Sequence, residues 1–288
     1  MKPVLETRDL TFTYSPGTAY AKTACDHVNL TVYEGEFLGV IGHTGSGKST
    51  LIQQLNGLLQ PTSGQVLLHG QDIWADPKKI RAVRFQVGMV FQYPEYQLFE
   101  ETVMKDICFG PKNKGLSDEE ALQCAKEAAY FVDLREELWE KSPFELSGGE
   151  KRRAAIAGVL AMDPDVLILD EPAAGLDPRG RDKLLSQIRR YHKARGNTVL
   201  LVSHSMEDIA RVADRVLVMN GGKMAMLDRT ENVFARGDEL QKMGLMVPQV
   251  TRIMARLRQE GYPVRGDELT VEQALEELLA LCGKGGAD

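Results

Sequence analysis

The stretch that decides the fold is Gly42-His-Thr-Gly-Ser-Gly-Lys-Ser-Thr50, which stands between an apolar run, Phe37 to Ile41, and a helical pattern from Lys48 to Leu59. Its glycines let backbone N–H groups close around an anion, and the first turn of the helix adds partial positive charge. The strand and the helix on either side favour a phosphate-binding loop over the alternative, a plain glycine-rich turn.

This loop supplies most of the predicted nucleotide contacts. The Lys48 amine is expected to reach the β and γ phosphates, and the Ser49 hydroxyl is expected to ligate Mg²⁺. The loop residues predicted to bind the nucleotide are Gly42, His43, Thr44, Gly45, Ser46, Gly47, Lys48, Ser49 and Thr50.

Two carboxylates follow another apolar run in Val166-Leu-Ile-Leu-Asp-Glu171. Sheets of this kind hold their ligands at the carboxyl ends of the strands. Asp170 is therefore predicted to hold the Mg²⁺ shell, and Glu171 to polarise the attacking water as a general base. The alternative, a strand end with solvated acids, is weak once the loop at Gly42 is present.

The order of apolar runs predicts an α/β fold with a P-loop NTPase core. Runs buried on both faces and separated by helical patterns are typical of a mainly parallel sheet. These runs are Phe37 to Ile41, Val87 to Phe91, Val166 to Leu169, Val199 to Val202 and Val216 to Met219. Three early segments alternate more and are expected to form an antiparallel layer: Val4 to Thr13, Val28 to Val32 and Gln65 to His69.

The domain boundaries follow from the helical patterns. Residues 95–162 contain helical patterns without a strand, which predicts a helical subdomain inserted into a cassette domain of residues 1–237. Helical spacing of apolar residues then predicts a small helical appendage over residues 238–288. Thr270 and Gln273 resemble a capping box at the start of its last helix.

Composition limits the partners and the location. A net charge of −6 argues against nucleic acid as the main partner, because phosphate neutralisation needs a clustered basic surface. The basic triplet Lys151-Arg152-Arg153 is interpreted as a solvated helix face. No apolar run reaches the roughly 18 residues of a membrane span, the N-terminus lacks a secretory signal, and four scattered cysteines fit the reduced thiols of a cytosol.

The most discriminating motif is Leu146-Ser-Gly-Gly-Glu150, a second glycine-rich helix start that ordinary nucleotide kinases and GTPases do not need. It resembles the signature motif of ATP-binding-cassette ATPases, whose helix N-terminus caps the γ phosphate of ATP bound to the opposite subunit. Ser147 and the amides of Gly148 and Gly149 would present donors to that anion. A plain capping box between Ser147 and Glu150 is the alternative, and both descriptions are compatible. The family usually has Gln at position 150, so the charge of Glu150 is expected to weaken the site.

The resemblance covers nearly the whole chain and implies ATP as the nucleotide and further site residues. Gln92 matches the glutamine that contacts Mg²⁺ and water, and His204 matches the switch histidine that hydrogen-bonds the γ phosphate; alone, His204 could equally be a core histidine. Tyr14 matches the aromatic that stacks on adenine, a contact worth roughly 1 to 3 kcal/mol, and its alternative is a strand aromatic in the core. In Ala174-Gly-Leu-Asp177, Asp177 matches the polar contact of the loop that crosses the dimer interface.

A narrower resemblance lies in Phe91-Gln-Tyr-Pro-Glu-Tyr-Gln-Leu-Phe99 and in Asp106-Ile-Cys-Phe-Gly-Pro-Lys-Asn-Lys-Gly-Leu116. Both are similar to the ATPase subunits of energy-coupling factor transporters, which import vitamins and transition-metal ions, and residues 170–180 are similar to the second of their two paired ATPases. The resemblance implies a second, paralogous ATPase subunit held by the helical appendage, a transmembrane scaffold and a substrate-binding membrane protein. It also implies a peripheral location at the cytoplasmic face of the cell membrane.

Other classes explain the sequence less well, and a soluble cassette ATPase not coupled to transport is the main alternative. A DNA-repair ATPase of this type would carry a long heptad insertion between Gln92 and the signature, and this interval is short and lacks heptads. Translation factors of this superfamily carry two cassettes in one chain. A small-molecule kinase leaves residues 146–150 unexplained.

An apolar stretch follows Gln92 and contains Tyr93, Pro94, Tyr96, Leu98 and Phe99. Several of these side chains are expected to line an exposed groove that receives a helix of the scaffold. The alternative is that they pack inside the helical subdomain.

Overall fold

The computed structural model describes residues 2–284. Its strands are β1 (Pro3–Tyr14), β2 (Lys22–Val28), β3 (Thr31–Tyr33), β4 (Phe37–Ile41), β5 (Ser63–Leu68), β6 (Gln71–Asp72), β7 (Val87–Val90), β8 (Val166–Asp170), β9 (Thr198–Val202), β10 (Arg215–Asn220) and β11 (Lys223–Arg229). Its α-helices are α1 (Lys48–Leu55), α2 (Ile80–Gln86), α3 (Val103–Lys114), α4 (Asp118–Phe131), α5 (Gly148–Leu160), α6 (Pro178–Arg195), α7 (Met206–Val212), α8 (Thr230–Phe234), α9 (Gly237–Lys242), α10 (Gln249–Gln259) and α11 (Val271–Lys284).

The central sheet has the strand order β11-β10-β4-β9-β8-β7. Strands β10, β4, β9, β8 and β7 run parallel, and β11 pairs antiparallel with β10 at one edge. Every residue of β4, β7, β8 and β9 is buried, which explains why these strands are apolar without alternation. The predicted P-loop NTPase core with a mainly parallel sheet is confirmed.

The predicted antiparallel layer is also confirmed. Strands β2, β1, β5 and β6 pair in that order, and β3 pairs with β1. The segment Val28 to Val32 is not one strand, however, because Val28 ends β2 and Thr31 begins β3. Both strands pair with β1, whose long course accommodates them one after the other.

Two further sequence expectations are wrong in detail. Helix α1 ends at Leu55 rather than Leu59, because Asn56 caps it and Gly57 takes a left-handed backbone with φ of 71°. Strand β11 was missed, although its signal was present. Gly221 and Gly222, both with positive φ, form a two-residue hairpin loop between Asn220 and Lys223, and Gly-Gly between apolar runs is a hairpin signal.

The segment between β7 and β8 contains α3, α4 and α5 and no strand, as the sequence indicated. Its apolar residues join those on one face of the central sheet in a single core, and a second core fills the space between the other face and the antiparallel layer. The inserted helices are therefore packed directly onto the sheet that carries the phosphate loop.

The C-terminal helices form a small core of their own around Met254, Val264 and Ala274. Gln273 accepts a hydrogen bond from the Thr270 amide, and Thr270 Oγ1 accepts one from the Gln273 amide, each at 3.3 Å, so the predicted capping box is confirmed. Residues 285–288 of the predicted appendage lie outside the described part of the chain. Within residues 2–284 none of the helices combines the length and apolarity that a bilayer span requires.

Candidate nucleotide-binding site

The phosphate loop connects the carboxyl end of β4 to α1. At Gly42 an added Cβ would lie 2.4 Å from the Met219 carbonyl oxygen, and at Gly47 it would lie 2.2 Å from the Ala24 carbonyl oxygen. Larger residues would push the loop away from these strands, so the two glycines are required by close approach. The Lys48 amine donates to the carbonyls of Gly42 at 2.7 Å and His43 at 3.1 Å.

The electrostatic surroundings of Lys48 match a phosphate ligand. Burial lowers its pKa, and the carboxylates of Glu171 and Asp170 partly offset that effect. The Ser46 hydroxyl of the same loop is fully buried and has no hydrogen-bond partner. The desolvated Lys48 amine lines the cavity beside this glycine-rich loop and is a donor available to an anion.

Tyr14 ends β1 beside this loop and lines a cavity with Lys22, Ala24, Gly45 and the loop residues from Gly47 to Thr50. Its hydroxyl exchanges a hydrogen bond of 3.1 Å with Thr50 Oγ1, and its ring packs edge-on against Phe12. Nearly half of the Tyr14 side chain is exposed, so it is not a core aromatic.

Asp170 ends β8 and Glu171 follows it, and the two carboxylates have different environments. Burial raises the pKa of Asp170, and its bond to Ser49 together with the Lys48 charge lowers it in part. Burial raises the pKa of Glu171 to about 7, a hydrogen bond from the His204 amide opposes this, and the nearby charge of Asp170 adds to it. Glu171 also has a left-handed backbone with φ of 50°, a strained conformation of the kind found at functional sites.

His204 is exposed and faces Glu171. Its amide donates to Glu171 Oε2 at 3.4 Å, and its Nε2 lies 3.3 Å from Oε1 without hydrogen-bond alignment. Burial, and then the charge of Lys48, lower the pKa of His204, which favours a neutral imidazole with one N–H to donate. The structure therefore excludes the core histidine that the sequence alone left possible.

Gln92 follows β7 and is exposed. Because Val90 of β7 is paired with Leu169 of β8, Gln92 leaves the sheet at the same edge as Asp170 and Glu171. The structure thus brings Gln92, Asp170 and Glu171 to the carboxyl ends of neighbouring parallel strands.

The signature residues lie at the N-terminus of α5. Ser147 caps the helix, and Glu150 Oε2 accepts from both the Ser147 amide at 2.9 Å and its hydroxyl at 2.7 Å, so the capping box is present. Arg135 donates to Glu150 Oε1 at 2.9 Å. These contacts, above all the Ser147 hydroxyl, lower the pKa of Glu150 to about 2. The Glu150 carboxylate, which was expected to repel a phosphate, bonds instead to Ser147 and to Arg135. Arg135 is a partner that the sequence did not predict.

Asp177 is exposed and caps α6, where its Oδ1 accepts from the Gly180 amide at 2.9 Å. Gly148 and Asp177 are exposed, and Gly149 is partly exposed. The phosphate loop is mixed: Gly42, Ser46, Lys48 and Thr50 are buried, whereas His43, Thr44, Gly45 and Ser49 are exposed.

The interpretation of Lys151-Arg152-Arg153 as a solvated face is wrong at its middle residue. Arg152 is only 4% exposed and pairs with Glu95 through Nε at 3.0 Å and Nη2 at 2.6 Å. The helix phase turns Arg152 inward while its neighbours remain partly exposed.

The apolar stretch after Gln92 divides between the two alternatives. Pro94 is buried, whereas Leu98 and Phe99 line an exposed groove; Tyr96 is exposed outside it. The groove is lined by residues of α2, the stretch after Gln92, α3, α5 and the turn after α5, including Arg81, Phe85, Leu98, Phe99, Phe109 and Met162.

A phosphate loop, acids at the carboxyl end of a parallel strand and a second glycine-rich helix start define a P-loop ATPase of the ATP-binding-cassette class. A family model described as ABC transporter matches residues 25–174. The chain is 52% identical to the energy-coupling factor transporter ATP-binding protein EcfA2 of Caldanaerobacter subterraneus subsp. tengcongensis, over 96% of both chains. It is 53% identical to the protein of the same name from Clostridium acetobutylicum, again over 96% of both.

Solved structures agree with this class. CbiO1 from Clostridium perfringens, described as part of the ABC transporter complex CbiONQ, superposes with a TM-score of 0.75 at 35% identity, covering 88% of this chain and 99% of that one. An ATP-binding cassette solved as a dimer in a post-hydrolysis state with ADP and Pi superposes with a TM-score of 0.71 at 28% identity, covering 78% and 98%. The chain belongs to the ABC transporter family, among the ATP-binding proteins of energy-coupling factor transporters, and it is an ATP-binding ATPase.

Proposed function

We propose that this chain is the ATP-hydrolysing subunit of an energy-coupling factor importer that takes up vitamins or transition-metal ions. The names of its relatives support the transporter class. The observation that carries the coupling to a membrane partner is the exposed apolar groove directly after Gln92. An exposed apolar surface of this kind calls for a partner.

In this proposal ATP contacts Tyr14 through its adenine and the phosphate loop through its phosphates. The Tyr14 ring stacks on adenine, the amides of residues 42–50 enclose the β and γ phosphates, and Lys48 exchanges the Gly42 and His43 carbonyls for phosphate oxygens. Each of these groups already borders the same cavity or the same loop.

Mg²⁺ fits the oxygen ligands at the strand edge. The Ser49 hydroxyl lies close enough to Asp170 to lower the pKa of that carboxyl, Asp170 is buried, and hydroxyl and carboxylate oxygens are the ligands that Mg²⁺ prefers. Ser49, Asp170 and Gln92 are the residues that would hold the ion and its water. When bound, Mg²⁺ neutralises charge on the phosphates.

Glu171 is the proposed general base. A base is most effective when its pKa lies near the operating pH, and the pKa of Glu171 is raised to about 7. His204 lies beside it and would donate its N–H to the γ phosphate, while Gln92 would orient the water. Water loses its proton to Glu171 as its oxygen attacks the γ phosphorus of ATP. The bond between that phosphorus and the β–γ bridging oxygen breaks, and ADP and phosphate leave.

The signature surface serves a second subunit. The Ser147 hydroxyl, the Gly148 and Gly149 amides and Asp177 would complete the site of the partner chain, whose own signature would complete this one. ATP then closes the pair because it binds the closed state better than the open one. Hydrolysis removes that preference, and the pair opens.

The appendage, residues 238–288, is proposed to hold this pair together outside the 1–237 cassette and its 95–162 helical subdomain. Helix α11 exposes an apolar stripe at helical spacing, formed by Val271, Leu275, Leu278 and Leu279. A paralogous ATPase covering this stripe would remove apolar surface from water at every stage of the cycle.

In this proposal the chain is a peripheral subunit at the cytoplasmic face of the membrane, held there by its contact with the scaffold. A scaffold helix would lie in the groove between Arg81 and Phe99, and a substrate-binding membrane protein would join through the scaffold. No contact with nucleic acid is proposed.

The test is co-purification of the full chain from solubilised membranes. We expect Phe99→Ser to abolish recovery of the scaffold and the substrate-binding protein while ATP binding is kept. Tyr130→Ser is the matched control, because Tyr130 on α4 is 57% exposed and Phe99 is 58% exposed. Equal recovery with both variants, or loss with both, would contradict the groove proposal.

A further inference from the structure

One buried side chain joins three segments that surround the proposed ATPase site. Arg152 of α5 pairs with both oxygens of Glu95, which follows Gln92 by three residues. Its Nη1 also donates to the carbonyls of Pro172 and Ala174, directly after Glu171. The guanidinium of Arg152 therefore links the signature helix, α5, to the segment after Gln92 and to the loop after Glu171.

Tyr93 completes this arrangement, which we call the Arg152 clamp: Arg152, Glu95, Tyr93 and the carbonyls of Pro172 and Ala174. The Arg152 guanidinium lies 5.8 Å from the centre of the Tyr93 ring. Tyr93 has a left-handed backbone with φ of 56°, and an added Cβ at Gly175 would lie 4.0 Å from its ring. A strained residue persists only where its surroundings over-determine it, and here Arg152 supplies those surroundings.

The pair is charged as well as buried. Burial would raise the pKa of Glu95, but its hydrogen bond to Arg152 and the guanidinium charge outweigh that effect and hold its pKa below the ordinary value. The fork of a guanidinium fixes a carboxylate bidentately while it serves further acceptors, which an ammonium group cannot do. The geometry, not only the charge, is therefore specific to arginine.

We infer that Arg152 is a positioning residue for hydrolysis. It fixes the positions of Glu171 and of the loop from Ala174 to Asp177 relative to the signature helix. Through Glu95, it also transmits a displacement of the segment after Gln92 to that loop and to the signature helix. The inference rests on the roles proposed above for Glu171 and Ser147. Arg152 itself touches neither the nucleotide loop nor the acids.

A second Arg–Glu–Tyr arrangement offers a matched control. Arg215 pairs with Glu36 at 3.0 Å, donates to the Thr31 carbonyl, and lies 5.5 Å from the centre of the Tyr33 ring. Glu36 precedes β4 and Arg215 begins β10, so this group lies at the amino ends of the strands, opposite the phosphate loop.

The experiment measures steady-state ATPase activity and melting temperature of the complex purified from membranes. We expect Arg152→Lys to lower kcat about tenfold or more, because a small misplacement of reacting groups has large kinetic effects. We expect KM for ATP to stay within about twofold, because the loop and Tyr14 are not clamped. Glu95→Gln should lower kcat less, since the two carbonyl contacts of Arg152 remain.

Arg215→Lys should lower the melting temperature without a comparable loss of kcat. An unchanged kcat in Arg152→Lys would overturn the inference, and so would equal kcat losses in the two lysine variants. Should Arg152→Lys fail to fold, Glu95→Gln decides, because a merely structural pair would leave its kcat unaltered. A wild-type complex without ATPase activity would instead refute the proposed function.

Discussion

The phosphate loop and the signature helix are both glycine-rich helix starts, yet they differ in what faces them. Within the phosphate loop the Lys48 amine donates a hydrogen bond to the Gly42 carbonyl, and the Ser46 hydroxyl is buried. The signature end of α5 is exposed, and Ser147 is occupied by its own cap. This difference fits the proposal that the loop binds the nucleotide of its own chain, and that the signature end contributes to the nucleotide site of a partner.

The largest expected effect is the loss of turnover when Glu171, the proposed base near the phosphate loop, is replaced. Glu171→Gln keeps the shape of the side chain but removes its proton acceptor, so kcat should fall by about 10² to 10⁴. ATP binding should persist and the closed pair should accumulate. Turnover and nucleotide affinity measured on the same preparation check this, and near-normal turnover would remove Glu171 from the mechanism.

One variant of the phosphate loop and one of the signature helix separate the roles of these two regions. Lys48→Ala removes a charge-assisted contact of about 1.5 to 3 kcal/mol, so the isolated chain should bind ATP about 10- to 150-fold more weakly. Ser147→Ala should leave that affinity unchanged and weaken only ATP-driven pairing. Titration of the isolated chain, followed by sedimentation of the pair, separates the two.

Ser147→Ala also removes a helix cap, so it needs a control. Ser117 and Glu120 form the same capping box on α4, with the Ser117 hydroxyl 2.7 Å from Glu120 Oε2. Both Ser→Ala changes should cost about 1 kcal/mol of stability. Pairing that weakens equally in both variants would break the distinction between the two sides.

The pH dependence should follow the Glu171 carboxyl. Its pKa is raised to about 7 and the base acts when deprotonated, so activity is gained as pH rises to that value and lost below it. We expect kcat/KM to fall about tenfold per pH unit below the pKa and to level above it. Because the terminal phosphate of ATP titrates nearby, the profile of Glu171→Gln serves as the reference. Identical profiles would exclude Glu171 as the titrating group.

The smallest effect is expected at Glu150. Its carboxylate bonds Ser147 and Arg135, so Glu150→Gln should not relieve a repulsion but remove a favourable charge at a helix N-terminus, worth about 0.3 to 1 kcal/mol. Pairing should then weaken by no more than about fivefold. ATP-driven sedimentation checks this, and tighter pairing would show that the acid does repel the partner's nucleotide.

Features made of contiguous residues could be predicted from the sequence alone. The strand, loop and helix around Gly42, the acids that end β8 and the capped start of α5 depend on local backbone conformation, which glycine spacing, apolar runs and capping residues specify within a few positions. The parallel sheet and its edge followed from the same runs, and the site residues near it could be named before their distances were known.

Contacts between segments far apart in the chain became visible only in the folded structure. Arg152 and Glu95 are 57 positions apart, and no pattern within either segment announces their pairing. Arg135 on Glu150, and the groove built from α2, α3, α5 and the stretch after Gln92, are of the same kind. A charged residue is predicted to be solvated because burial without a partner is unfavourable, and only the fold supplies the partner that reverses this.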